Sequence, residues 1–322
     1  MKASDKDSEK AGTPTRRPCY LTFLVVRHSR MAYSVGDRVF DIINLSIITI
    51  LLLVVLYPLI YVLSASLSSP VAVGAGQVVI FPIGFTFEGY IRVFREKNVM
   101  IGYRNTFLYT IVGTALNIFL TLPCAYALSK KELPGRGIIM AIFMFTMYFS
   151  GGMIPSFLLV RNLGLINTRT ILIISGAISV YNVIISRTFF AGIPKELEEA
   201  AFMDGSSRTR TFIQIVLPLS RALIGVMVLY YAVAHWNSYF TALIYAEDDA
   251  IKPLQLFLRR ILIIDQINTN MIGRDEALQE AESLKQLVKF SIIIVSSLPI
   301  LVLYPFLQKY FEKGVLIGSL KG

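Results

Sequence analysis

The chain has 322 residues, 55% of them hydrophobic, with a mean hydropathy of +0.63, an apolar share above the ~45–50% of a soluble domain. Its 31 Lys and Arg against 21 Asp and Glu give a formal net charge of +10. The bases are spread over connectors, which argues against a nucleic-acid surface and fits the positive-inside bias of a membrane protein. Cys19, Cys124, His28 and His235 form no disulfide, metal or hydrolytic pattern.

Residues 1–41 are predicted to be a cytoplasmic tail. Eight bases and five acids, with early Thr, Ser and Pro, make its first part a disordered segment. Tyr20 to Val26, before Arg27, His28 and Arg30, either lies along the inner surface or belongs to that mobile tail. No cleaved signal is expected, because a long polar or mixed stretch precedes the first apolar run, which serves as a retained anchor.

Ile42 to Leu63 is the first predicted span, free of charge and near the ~20 residues that cross the hydrocarbon core. Ser64 to Tyr103 holds Pro70, Gly74, Gly76, Pro82, Gly84 and Gly89, and those breakers predict an external loop. The second span covers Asn105 to Leu128 and ends at a basic connector with Lys130, Lys131, Glu132 and Arg136. The third, Gly137 to Val160, carries Gly151, Gly152 and Pro155 and is predicted to bend, with or without a gating role. The fourth runs from Thr170 to Ser186, with Arg187 at its inner end, and the fifth from Ala222 to Ala246. Residues 247–285 hold eight acids against five bases, as expected of an external loop. Phe290 to Leu307 is the sixth span, followed by a cytoplasmic tail, residues 309–322. The expected fold is an all-α polytopic membrane protein of six transmembrane helices, residues 42–308, with both termini in the cytoplasm.

Between spans four and five lies a polar cytoplasmic connector, residues 191–219. Pro194 suits a first helical position, and Glu196, Glu198 and Glu199 sit near the positive end of the helix dipole. Gly205 can stop that helix in a left-handed turn, and Ser206 or Ser207 can cap a second helix running to the break at Leu217-Pro218. Leu197, Ala200, Ala201 and Asp204 share one face by helical spacing. Helical signals alone fit any surface helix-turn-helix between two spans.

The spacing is more specific. Glu199-Ala200-Ala201, three residues, Gly205, nine residues, Ile215, one residue, Leu217-Pro218 resembles the signature loop of ATP-binding-cassette importer permeases, with every consensus position filled. That resemblance implies the type I importer permease fold. It also implies that Glu199, Ala200, Ala201, Asp204, Gly205, Ile215, Leu217 and Pro218 form a coupling helix that docks in a groove of a separate ATP-hydrolysing subunit. The end of the chain, with Lys313, Gly314, Gly318 and Lys321, resembles the tail of maltose-type carbohydrate permeases, which reaches toward the ATPase pair; a frayed end is the other reading. Phe81-Pro82 and Phe85 to Tyr90 resemble the first outer loop of carbohydrate permeases. Phe149 to Ser156, Asn162-Leu163-Gly164 and His235 to Phe240 are similar to permeases for oligosaccharides such as alginate or aldouronate fragments.

No Gly-Lys dipeptide exists to cradle a nucleotide phosphate, so ATP, if it drives the process, is bound by another polypeptide. The chain is therefore expected to be no enzyme, to have no catalytic residue and to bind no cofactor, with ATP and Mg on partner ATPase subunits. The predicted spans hold no Asp, Glu, Lys or Arg in their interiors, which argues against ion-coupled transport. Candidate residues for a translocation path are Asn117, Tyr181, Asn182, His235, Trp236, Asn237 and Tyr239, since aromatic faces pack on sugar C–H groups while amides and hydroxyls bond sugar hydroxyls. An interfacial aromatic belt and interhelical hydrogen bonding are the alternative uses of these residues.

The resemblance implies carbohydrate import across the bacterial cytoplasmic membrane by alternating access. Implied partners are a homologous second permease subunit, two ATPase subunits, an external solute-binding protein, membrane lipid and a carbohydrate, with no nucleic acid. A permease for a peptide or ion in the same superfamily, a secondary carrier without ATPase partners, and a membrane-embedded assembly or sensor protein remain open.

Overall fold

The computed structural model describes residues 35–268 and 276–319. The first part of the predicted N-terminal tail, with Cys19 and His28, part of the acidic loop, and Lys321 lie outside the described residues. No strand occurs among the described residues.

The chain divides into two compact units, Met1–Leu56 and Tyr57–Gly322. Within the first, residues 35–56 form the N-terminal part of helix α1, Val35–Ser66, and their large apolar side chains face outward all round. A helix apolar on every side must be covered by lipid or protein.

The second unit continues α1 from Tyr57 and is built on α4. The predicted external loop after α1 contains helix α2, Pro70–Gly74, and α3, Glu88–Arg95. Ser69 caps α2, accepting a bond from the Ala72 N–H at 3.4 Å. Thus the breakers that predicted a loop act here as caps and corners of short helices. Helix α4, Lys97–Ser129, starts before the predicted second span and carries the longest buried stripe of the unit.

Next come α5, Arg136–Tyr148, and α6, Met153–Asn162, bent by 111° to one another, so the predicted third span is broken. The break lies at Phe149 to Gly152, where Gly152 has φ +87°; Pro155 sits in the first turn of α6 and does not cause it. The predicted fourth span is likewise split, into α7, Arg169–Ile174, and α8, Val180–Ala191. After the connector, α12, Arg221–Trp236, ends inside the predicted fifth span, and α13, Phe240–Tyr245, follows a break at Asn237 to Tyr239. Its connector helices, α9 to α11, are described with the site below.

The predicted acidic loop holds α14, Leu254–Asn268, and the start of α15, Glu276–Ser319, which runs past the predicted sixth span at both ends. An excess of acidic charge carries no information on conformation: Leu254, Phe257 and Leu258 in α14 are buried against α4 and α15 at helical spacing. By length and composition three described helices qualify as membrane spans, or five if each bent pair counts as one.

Helices α4, α8 and α12 enclose one core, with Leu122, Ala125, Val183, Phe190, Met227 and Tyr231 at its centre. A second core, Tyr109, Ile171, Leu172, Ala242 and Tyr245, joins α4 to α7 and α13. Polar side chains of α4 pin the loop before α14. Asn105 donates to the Ala250 and Lys252 carbonyls at 2.9 and 3.0 Å, and Tyr109 to that of Ile251 at 2.7 Å.

Candidate coupling and translocation site

The connector folds as two short helices with a corner. Helix α9 is Lys195–Met203 and starts one residue later than expected, because Pro194 is extended (φ −56°, ψ 130°) and stands before the first helical residue. Gly205 has φ +78° and turns the corner, and Ser207, not Ser206, caps α10, Arg208–Thr211, by accepting from the Arg210 N–H at 3.3 Å. The second helix does not break at Pro218. A π-turn, Phe212–Val216, leads into α11, Leu217–Leu219, with Pro218 inside it. Proline lacks an N–H and its ring collides with the carbonyl four residues back, and the wider π-turn relieves both. The helix then bends by 83° at Ser220 into α12.

Gly205 has open space around its Cβ position, so any cost of a side chain there is conformational. Gly205→Val is expected to strain the corner by about 1–2 kcal/mol. Loss of substrate-stimulated ATPase activity with normal membrane insertion is the expected readout; wild-type stimulation would count against a coupling role for this corner.

The shared face inferred from spacing is divided. Ala201 is buried beside Glu198, whereas Leu197, Ala200 and Asp204 are exposed. Glu199 is exposed, Ile215 and Leu217 are half-buried and Pro218 is exposed. The spacing argument overlooked Glu198. Its buried carboxylate pairs with the Lys130 Nζ from the end of α4, and that ammonium lies 4.3 Å from the centre of the Tyr126 ring. Nothing in local sequence marks Glu198 above Glu199, because its partner is 68 residues away. Lys195 and Glu132 form a second, exposed pair at 3.5 Å. Glu132's own backbone N–H first, then Lys195 and Lys130, hold its carboxyl below the usual carboxylate range. The outer face of α9 presents Phe202 and an 88%-exposed Met203, uncovered among the described residues.

The candidate path residues fall into two groups. Asn117, Asn182, His235 and Trp236 are buried. Asn117 donates to the carbonyls of Gly176 and Ala177 at 2.9 and 3.0 Å, filling its amide nitrogen, so its Oδ1 accepts from His235 Nε2 at 2.8 Å. Alongside, the Tyr231 hydroxyl lies 2.7 Å from Thr121 Oγ1 and accepts from the Ser179 N–H at 3.3 Å. The break between α7 and α8 therefore has its freed backbone groups taken up by α4 and α12, the condition under which a helix is interrupted within a membrane. Gly113 permits the approach: a Cβ there would lie 2.5 Å from the His235 ring. Trp236 Nε1 donates to the Ser296 carbonyl at 3.1 Å.

Tyr181, Asn237 and Tyr239 are exposed, Tyr181 by 59% and Tyr239 by 41%. Tyr181 lies at the start of α8 just past the α7–α8 break, and Asn237 and Tyr239 lie in the break between α12 and α13. Arg259 of α14, missed by the sequence reading, has its guanidinium 5.5 Å from the Tyr239 ring centre. It has no acidic partner within 4 Å among the described residues. Of the tail residues, Lys313, Gly314 and Gly318 continue the backbone of α15. Among the described residues no group of His, Cys, Asp and Glu is arranged to hold a metal.

Residues 99–317 match the family described as "Binding-protein-dependent transport system inner membrane component". Protein LplC of Bacillus subtilis (strain 168) is 39% identical over 287 residues, 89% of this chain and 96% of the relative. The polygalacturonan/rhamnogalacturonan transport system permease protein YtcP of the same organism is 38% identical over 287 residues, 89% and 99% of the two chains. Among solved structures, a bacterial ABC transporter involved in the import of the acidic polysaccharide alginate aligns with TM-score 0.79 and 35% identity, over 87% of this chain and 99% of that one.

Proposed function

Because the chain belongs to the family of inner-membrane components of binding-protein-dependent transport systems, we propose that it is the permease subunit of an ATP-driven importer of an acidic oligosaccharide across the bacterial cytoplasmic membrane. The relative YtcP is named as a transport system permease protein, which supports reading this chain as a membrane subunit and leaving ATP hydrolysis to partner subunits. The observation that carries the proposal is the connector. A two-helix corner, anchored by Glu198 on Lys130, leaves Leu197, Phe202 and Met203 exposed.

In this reading the ATPase subunits carry ATP and Mg and receive α9. Glu199, Ala200 and Asp204 lie on the exposed side of α9, Ile215, Leu217 and Pro218 set the rigid second arm, and Lys313, Gly314, Gly318 and Lys321 extend toward the ATPase pair. Movement of α9 passes through Lys130 directly into α4, and through the π-turn and the bend at Ser220 into α12. These two helices hold the α7–α8 break by Asn117 and Tyr231. The exposed edges of the breaks, Tyr181, Asn237 and Tyr239, then face a path shared with a homologous second permease subunit, into which a solute-binding protein delivers sugar.

Names of relatives support an acidic sugar, and so does Arg259: a planar guanidinium matches a uronate carboxylate in geometry and charge. The test is ATP hydrolysis by the complex purified through this chain, with its binding protein and a panel of neutral and uronate oligosaccharides. Stimulation by the uronates is the expected result. A complex lacking an ATPase overturns the importer reading and favours a secondary carrier; stimulation by a peptide or inorganic ion names another substrate class. Arg259→Gln is expected to raise the half-saturating uronate concentration about tenfold, roughly the ~1.5 kcal/mol of one charge-assisted hydrogen bond. An unchanged value would remove Arg259 from the path.

A further inference from the structure

A groove of about 1060 Å³ opens beside the connector and runs up the flank of α4. Its floor is apolar and includes Ala115, Ile118, Phe119 and Pro123, and Phe119 is 74% exposed. From Ala115 to Lys130 the helix rises ~22 Å at ~1.5 Å per residue, enough to cross one leaflet of a ~30 Å hydrocarbon core and reach the headgroups. Its mouth differs sharply in character: Lys131, Arg136 and Arg208 line it.

Charge at that mouth is unbalanced. Lys130 is taken by Glu198 and Lys195 by Glu132, which leaves Glu199 as the unpaired acid among the lining residues. Lys131, Arg136 and Arg208 have no acidic partner within 4 Å among the described residues, and neither has the nearby Arg187. Such crowding of bases is relieved by an anion between them. Basic pockets beside membrane helices on the cytoplasmic side are where anionic lipid headgroups bind.

We propose that this groove is the site of an anionic phospholipid of the inner leaflet, its acyl chain along Phe119 and Pro123 of α4 and its phosphate on Lys131, Arg136 and Arg208. An apolar floor continuous with a basic mouth selects a lipid over a soluble anion, which would leave Phe119 in water, and over a neutral lipid, which would leave the bases unpaired. The groove also borders Glu199 and Phe202 of α9. A lipid seated there braces the connector against α4, and anionic lipid content sets how tightly ATPase movement reaches the membrane helices. The coupling consequence rests on the importer reading; the binding site does not.

The test uses the whole purified complex in two readouts, lipid retention by native mass spectrometry and ATPase activity in reconstituted vesicles. In the first, wild type is expected to retain phosphatidylglycerol over phosphatidylcholine, and Lys131→Gln/Arg136→Gln to lose that preference at least tenfold. Phe119→Trp, which fills the apolar floor and leaves every base in place, is expected to lose it as well. In the second, vesicles of phosphatidylcholine with phosphatidylglycerol are expected to raise substrate-stimulated ATPase activity several-fold over phosphatidylcholine alone, in wild type and not in the variants. Equal phosphatidylglycerol retention by wild type and both variants overturns the site. Inorganic phosphate added to phosphatidylcholine vesicles reproducing the stimulation would show a soluble-anion site and overturn the lipid assignment. Loss of ATPase subunits from the variant complexes would show a protein-docking surface, with the same consequence. Retention lost in the variants with no ATPase activity in any vesicle would leave the lipid site standing and overturn the importer reading instead.

Discussion

Replacing Asn117 by leucine is expected to destabilise the assembled protein by about 3 kcal/mol and to abolish transport. Leucine keeps the branching of the side chain but strips bonds from the Gly176 and Ala177 carbonyls and from His235. Interhelical side-chain hydrogen bonds in membranes average only ~0.6 kcal/mol, because a freed side chain finds other partners. Here the losers are backbone carbonyls at a helix break, which have no such freedom, and each unsatisfied one costs ~1–3 kcal/mol. The backbone term therefore wins. Melting of the purified complex in detergent checks this, and a variant that melts and transports like wild type would refute the clamp. Gly113→Ala approaches the same cluster from the other side: its methyl would lie 2.5 Å from the His235 ring, so ring and Asn117 must move. It should reproduce part of the loss without removing any polar group.

Glu198→Ala is expected to cost about 3 kcal/mol and to uncouple ATP hydrolysis from uptake. An intact buried ion pair contributes little net stability, but removing one partner leaves a charge stranded, at ~3–5 kcal/mol when fully buried. The side chains of Lys130 and Glu198 keep 22% and 10% of their exposure, so the lower end applies. Lys130→Met made with Glu198→Ala removes the stranded charge, and most of the stability should return while coupling should not. Full recovery of coupling in the double variant would show that the pair holds the fold alone and transmits nothing. Glu199→Lys changes an exposed side chain. It is expected to leave melting unchanged and to impair ATPase stimulation.

The long apolar helices over the predicted first, second and sixth spans, and the connector, were legible because their signals are local. A charge-free run of about ~20 residues must be helical in hydrocarbon, since no water is there to satisfy its backbone. The corner at Gly205 and the cap at Ser207 likewise follow from residues within one turn of each other. Spacing also marked Gly152 as a breaker, though it could not say that the chain would turn by 111° there. Acidic residues between 247 and 285 hid α14, because charge reports the side of a membrane and not the conformation.

The sequence by itself determined a helical membrane chain, the helix–corner–helix of residues 195–219 and the composition of the helix ends. Only tertiary structure decided which polar residues are spent on the fold and which remain free. Asn117 reaches the Gly176 carbonyl 59 residues away and His235 118 residues away, and Lys130 reaches Glu198 across 68. No local pattern encodes those pairings: they exist because α8 and α12 both pack on α4 around one core, which brings each freed backbone group or charge to the nearest side chain able to satisfy it. Tyr181, Asn237 and Tyr239 were left exposed by the same packing, with the half-buried Arg259 over the Tyr239 ring, and none of these four is spent on a long-range hydrogen bond of the kind that ties Asn117 to α7–α8 and α12.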